Sequence, residues 1–272
     1  MLVLLVLRLV ASYDMEVHLD VMRSRAESLK KFLDATRAST FLQDDEPQVS
    51  SSGGKDYEVS VCPALSVAFV HVYKAAGSSG VRLMDVGCPE QRHQFCCCGC
   101  VQGVVCHTRR EDIDWSRNTT ITFAFVRDPL ERFQSAIFEL ARREKPFMLD
   151  WIKKAEDEGR QAGDVVVSQL FKLKSRVDPH LMPQTYFLND AGKAVPNLKY
   201  VAKVGPDFAE EMQALGSELF GLNPTIVASL PHLNAANNSS YRYLHDEVLS
   251  QDTRIKVYKY YAVDYAWLGG LH

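Results

Sequence analysis

The sequence contains no run of about 18 uncharged apolar residues, so no segment is expected to cross a bilayer as a full helix. It has no excess of positive charge either. The 31 Lys+Arg stand against 34 Asp+Glu, a net charge of -3, which argues against a protein built to coat nucleic acid and leaves only a local basic cleft. No Gly-Lys-Ser/Thr loop is present, which weakens a kinase-type phosphate loop. No internal repeat is visible. With 46% apolar and 24% charged residues, a mainly disordered or collagen-like chain is excluded. What remains is a globular protein of 272 residues, room for one large domain or two small ones.

Leu2 to Ala11 is apolar apart from Arg8. So short a stretch fits a signal-peptide core or the end of a shortened membrane anchor, and equally a buried strand or helix. Asn118-Thr119-Thr120 and the overlapping triplets in Asn237-Asn238-Ser239-Ser240 match the glycosylation acceptor pattern. The cysteines Cys62, Cys88, Cys96, Cys97, Cys98, Cys100 and Cys106 are crowded into one part of the chain. Three readings stand open: disulfides in an oxidising lumen, reduced and partly buried thiols, or a zinc site completed by His93 or His107. The zinc reading lacks paired CxxC knuckles, and no metal is expected.

Val17, Val21, Leu29, Phe32 and Leu33 recur at helical spacing between Asp14 and Ala38, with charged residues between them. This predicts an exposed helix, a stem leading to the main domain. The Asp-, Ser- and Gly-rich stretch from Gln43 to Lys55 reads as a linker. Residues 1–55 are therefore separated from a main domain at 56–272.

In that domain Ser66 to Tyr73 and Thr120 to Val126 are β-prone apolar runs, each feeding a helix. Val101 to Cys106 and Tyr200 to Val204 are further candidate strands. Helices are expected over Leu130–Arg143, Asp164–Leu173 and Phe208–Leu219. Strands apolar on both faces that alternate with helices predict an α/β fold with a parallel sheet covered by helices.

Two constellations carry chemistry. Lys74-Ala75-Ala76-Gly77-Ser78-Ser79 follows the first run. Its small residues allow a sharp turn whose N–H groups and following helix dipole suit an anion, with Lys74 as a mobile cation. A plain connection is the competing reading. In the second, Arg127 ends a strand, Asp128 and Pro129 start a helix, and Ser135 lies seven residues beyond Asp128 on the same face. Arg127 and Ser135 can reach one phosphate together; an Arg127–Asp128 ion pair at the cap is the alternative. Two anion sites on one rim suit a nucleotide phosphorylated at two places.

At this level the sequence resembles a known family. HVYKAAGSS (His71–Ser79) is similar to the phosphosulfate loop of the sulfotransferases, and FAFVRDPLERFQS (Phe123–Ser135) to their signature for the nucleotide's second phosphate. Asp178-Pro179-His180-Leu181-Met182-Pro183-Gln184, Tyr200 to Gly205 and Tyr260 to Gly269 resemble segments of Golgi carbohydrate sulfotransferases of the chondroitin and dermatan type. The likeness covers roughly Val67 to Gly269, with RDPxxRxxS its most specific element. Leu181 stands where these enzymes usually have tryptophan, and the cysteine cluster departs from their pattern.

The resemblance implies a P-loop-like sulfotransferase fold, with 3′-phosphoadenosine 5′-phosphosulfate as donor and a glycan hydroxyl as acceptor. It further implies a glycoprotein of the Golgi lumen, joined to the membrane only through a shortened N-terminal anchor. Lys74, Gly77, Ser78 and Ser79 would hold the phosphosulfate, Arg127 and Ser135 the 3′-phosphate, and Lys74 would stabilise the leaving phosphate. A base is also needed. His180 and His107 are the candidates, His180 favoured; His71 is expected to pack locally. Lys172, Lys174, Arg176, Arg109 and Arg110 are candidates for facing an acidic glycan, or a solvated face. The rival functions are a non-catalytic nucleotide- or glycan-binding relative of the same fold and, behind it, a small-molecule P-loop kinase.

Overall fold

The computed structural model describes residues 2–38, 58–62, 65–88, 107–109, 121–173, 177–190, 192–230 and 240–268. The chain opens with helix α1 (Leu2–Ala38), followed by strands β1 (Glu58–Cys62) and β2 (Val67–Val70) and helix α2 (Gly77–Gly87). Strands β3 (His107–Arg109) and β4 (Ile121–Arg127) come next, then helices α3 (Pro129–Arg142), α4 (Pro146–Asp157) and α5 (Ala162–Leu170). A 3₁₀ turn (Pro179–Leu181) and the short helix α6 (Gln184–Leu188) lead into a hairpin of β5 (Asn189–Asp190) and β6 (Lys193–Ala194). Strand β7 (Leu198–Val204) precedes α7 (Phe208–Phe220), α8 (Pro224–Ala228), α9 (Arg242–Asp246), α10 (Gln251–Tyr260) and α11 (Ala262–Leu268).

The fold is α/β, a mixed five-stranded sheet in the order β3-β1-β2-β4-β7 flanked by helices. The expected parallel arrangement holds for β2, β4 and β7. It fails for β1, which pairs antiparallel with both β2 and β3. The reason is connection length. Residues 63–66 joining β1 to β2 are too few for the crossover that a parallel pair needs, so the chain turns back as a hairpin. Every residue of β2 is buried, as are Thr122 to Val126 of β4. Phe69 packs its ring 5.0 Å from Phe123 and 5.1 Å from Phe125, and Phe208 of α7 meets Phe125 edge-on at 5.1 Å.

The expected exposed stem is corrected. Helix α1 packs on β7 and α7 through Leu19, Met22, Ala26, Leu29 and Leu33. That 3-4-3-4 spacing forms one buried stripe. Val17 and Val21, read from the sequence as part of it, face solvent instead. Arg25 Nη1 donates to Glu211 Oε1 of α7 at 2.6 Å, and Glu211 Oε2 accepts from Lys203 N at 2.8 Å. The stretch Leu2–Ala11 belongs to the same helix. Among the described residues no helix is long and apolar enough to cross a membrane.

Other boundaries shift modestly. The helix expected at Asp164–Leu173 runs Ala162–Leu170, and α2 already begins at Gly77, making Ser78 and Ser79 helical. The Gln43–Lys55 linker, the Val101–Cys106 strand and the glycosylation triplets, apart from Ser240, lie outside the described residues. So do Cys96, Cys97, Cys98, Cys100, Cys106 and His93. Cys62 and Cys88 form a disulfide across a separation of 26 residues. Closing a loop of that length stabilises the fold by about 3–4 kcal/mol on the chain-entropy account.

Candidate functional site: two anion turns and a clamped histidine

Strands β2 and β4 are parallel neighbours, with Val70 opposite Ala124, so both following turns open at the same edge of the sheet. The first turn passes through two non-glycine residues in the left-handed region, Lys74 (φ 65°) and Ala76 (φ 57°). Each such residue costs about 1–2 kcal/mol, and strain of this kind gathers where a backbone serves a ligand. Ala76 is the N-cap of α2 and gives no side-chain capping bond, so the positive end of that helix dipole is not met by a cap side chain. Gly77 is required by packing: a Cβ there would fall 1.8 Å from His71 Nε2. The expected local packing of His71 is observed, its ring stacked 5.0 Å from that of Tyr73.

Lys74 is not loose in solvent. Its ammonium lies 3.5 Å from Glu139 Oε2 on α3, and its side chain is 15% exposed. Burial pushes the Lys74 amine below its usual range, while Glu139 opposes that shift. Glu139 also accepts from Arg142 Nη2 at 2.7 Å and from Arg143 Nε at 2.6 Å. Burial would raise its carboxyl, but the bonds from Arg142 and Arg143 and the charge of Lys74 hold it at about 2. Ser135 lies one helical turn before Glu139, about 6 Å along the axis, on the same face of α3. Lys74, of the first turn, is thereby paired with the helix that carries Ser135, of the second.

In the second turn Asp128 Oδ1 accepts from Leu130 N at 2.9 Å and Glu131 N at 3.1 Å, with Pro129 opening the helix. The cap reading of Asp128 holds. Its proposed ion pair with Arg127 gives way to another, since Arg127 Nε is 3.1 Å from Glu131 Oε2. The Arg127 backbone is held on both sides by one side chain: its N–H donates to Gln184 Oε1 at 2.8 Å, and its carbonyl accepts from Gln184 Nε2 at 2.7 Å.

His180 lies in the 3₁₀ turn, 7% exposed. Its ring is 4.7 Å from Tyr73, the neighbour of Lys74. Nδ1 is 2.7 Å from Asp178 Oδ1, which also accepts from His180 N at 3.0 Å. Burial would raise the Asp178 carboxyl, but the His180 bonds outweigh it and hold the group low. A carboxylate only accepts, so Nδ1 carries the proton and the lone pair of a neutral ring falls on Nε2. That is the tautomer a general base needs.

His107 is elsewhere. It starts β3 opposite Ser60, and Ser60 lies opposite Phe69. Two strand spacings, about 10 Å, separate its backbone from β2. Lys172 is exposed, whereas Lys174, Arg176 and Arg110 fall outside the described residues. Among the described residues no group of three or more His, Cys, Asp or Glu is placed to hold a metal ion.

The sequence reading missed the residues that hold this site. Arg132 is fully buried on α3, its Nη2 donating to Met182 O and its Nη1 to His180 O at 3.4 Å. Tyr261 Oη donates to Leu181 O at 2.7 Å. Asp264, also fully buried, accepts from Gln184 N and Thr185 N, each at 2.8 Å. A signal existed for Arg132: like Glu139, the partner of Lys74, it interrupts the apolar face of α3 among Phe133, Ala136 and Leu140, where a charge is buried only with partners.

Compared with protein-family models, with curated proteins and with solved structures, the chain matches none. The sequence motifs and this geometry are therefore what bears on its function.

Proposed function

We propose that the protein transfers a sulfuryl group from 3′-phosphoadenosine 5′-phosphosulfate to a glycan hydroxyl, as its sequence resemblance to the carbohydrate sulfotransferases implies. The observation that carries this reading is the meeting of the two anion turns. They leave adjacent parallel strands at one edge, and Lys74 of the first reaches α3 of the second, one turn from Ser135. A donor with phosphate groups on the 3′ and 5′ oxygens of its ribose suits such a pair.

In this reading the uncapped start of α2, with Gly77, Ser78, Ser79 and Lys74, takes the phosphosulfate, while Arg127 and Ser135 take the 3′-phosphate. The acceptor oxygen attacks sulfur as the bridging bond from sulfur to the phosphate oxygen breaks. His180 Nε2 takes the hydroxyl proton, and the Lys74 ammonium offsets charge growing on the departing phosphate. The products are a sulfated glycan and adenosine 3′,5′-bisphosphate. His180 is preferred to His107 because its ring touches Tyr73, beside Lys74, and because Asp178 fixes its tautomer. An acidic glycan is one acceptor this reading allows, with Arg142 and Arg143 exposed beside Glu139. The Cys62–Cys88 disulfide supports an oxidising compartment such as the Golgi lumen.

Calorimetry with adenosine 3′,5′-bisphosphate and with ATP tests the donor site, and labelled-sulfate transfer to a panel of glycans tests the reaction. Tight binding of the bisphosphate with transfer to at least one glycan is expected. Binding without transfer makes the protein a non-catalytic nucleotide-binding relative, and preference for ATP makes it a kinase.

A further inference from the structure

The segment 178–185 contains both His180 and the side chain that grips Arg127, and its main chain is held by buried groups from three other helices. Arg132 of α3 donates to the carbonyls of His180 and Met182. Tyr261, at the end of α10, donates to the carbonyl between them, that of Leu181. The Arg132 guanidinium lies over the Tyr261 ring at 5.7 Å, so the two donors brace each other. On the other side Asp264 of α11 accepts from Gln184 N, Thr185 N and Thr185 Oγ1 (2.5 Å), and Trp267 Nε1 donates to the same hydroxyl at 3.1 Å. Gln184 then passes the hold to both backbone groups of Arg127.

We propose that Arg132, Tyr261 and Asp264 are positioning residues that form one buried clamp on segment 178–185, setting the His180 ring and the Arg127 backbone as a single rigid piece.

Chemical cost argues for this. Arg132, Tyr261 and Asp264 are all 0% exposed, and burying an arginine and an aspartate is expensive unless their bonds are made. Apolar residues would fill the same volume at lower cost. What they cannot do is fix three successive carbonyls and two successive amides, which sets a main chain to within fractions of an ångström. The segment fixed this way carries the base candidate and the support of the anion-binding arginine. The clamp's purpose rests on the functional reading above; its geometry does not.

The test uses the full chain and two variants, Tyr261→Phe and Asp264→Asn. The first readout is the rate at which diethyl pyrocarbonate modifies His180, followed by mass spectrometry, with His245 of the same chain as internal reference. His245 is 34% exposed and makes none of the clamp's bonds. In both variants His180 is expected to react about tenfold faster, because a lost buried hydrogen bond no longer opposes local opening, while His245 keeps its rate. The second readout is calorimetric affinity for adenosine 3′,5′-bisphosphate. It is expected to weaken about tenfold in Asp264→Asn, which acts directly through Gln184 and Arg127, and by a smaller factor in Tyr261→Phe, whose lost bond lies at the His180 end of the same piece.

An unchanged His180 rate in both variants overturns the clamp, and so does equal acceleration of His180 and His245, which marks a general loosening of the fold. If Asp264→Asn does not fold, the His180 rate in Tyr261→Phe decides alone. If the wild-type protein fails to bind the nucleotide, the functional reading falls, while the His180 rates still judge the clamp.

Discussion

Two strand-to-helix turns leave the same edge of the sheet, and the anion binding proposed for them would draw on opposite means. The turn after β2 leaves α2 without a side-chain cap and bends the backbone through two left-handed residues. Its potential comes from the main chain and the helix dipole, with one partly buried lysine in support. The turn after β4 has its helix end filled by Asp128, so the dipole is already answered from within the protein. Its potential comes from side chains, Arg127 and Ser135, on a well-capped and unstrained helix start. The first turn gives up local stability to present its backbone. The second keeps its local stability and carries its candidate anion partners, Arg127 and Ser135, as side chains.

Four experiments test that contrast, taken from the largest effect downward. Lys74→Ala removes the cation of the first turn and, under the proposed function, is expected to lower sulfate transfer by about a hundred- to a thousandfold, as loss of one charge-stabilising donor does elsewhere. Labelled-sulfate transfer measures it. The fold should persist, because Glu139 keeps Arg142 and Arg143 as partners.

The second experiment concerns Glu139 itself. Its folded-state pKa of about 2 lies below its ordinary value of 4.5. Stability from this group is therefore complete above about pH 4.5 and is lost as pH falls toward 2, on the order of 1–3 kcal/mol by linkage once solvent screening at the half-exposed Arg142 and Arg143 is counted. Melting temperatures against pH should show this acid limb in the wild type and a shallower one in Glu139→Gln.

Arg127→Ala should weaken adenosine 3′,5′-bisphosphate binding by at least about tenfold, the loss expected for a charged hydrogen-bonding partner, as calorimetry would show. Its melting temperature should barely move, since the pair with the exposed Glu131 contributes little. Asp128→Ala reverses the pattern. It should cost about 1 kcal/mol, or about 2–4 °C in a chain this size, with bisphosphate affinity retained. If Asp128→Ala weakened binding as much as Arg127→Ala, the contrast between the turns would break.

Both turns were legible in the sequence because their signals are local. A β-prone run followed by small residues, and a strand ending in Arg-Asp-Pro, need no knowledge of distant partners. The helical character of α1 was equally legible, but its face was not. Val17 and Val21 have the spacing of a buried stripe, yet β7 and α7 are met by Leu19 and Met22, and elements far along the chain decide that choice. The antiparallel β1 was missed for a different reason. Glu58 to Cys62 is short and adjoins a polar stretch, so periodicity could not separate it from its surroundings. The partners of the holding groups were hidden, although Arg132 itself stood out on an apolar face, because Arg132, Tyr261 and Asp264 act mainly on main-chain atoms, and a bond to a carbonyl or amide leaves no complementary residue type to find.

The docking of α1 has a consequence for how the chain is made. Arg25 is bonded to Glu211, 186 positions later. At roughly 5–20 residues per second, a ribosome takes on the order of 10–40 s to supply the second partner. Throughout that interval the stripe from Leu19 to Leu33 has been synthesised and its docking surface has not. The nascent protein therefore carries this apolar stripe without its native cover for most of its own synthesis.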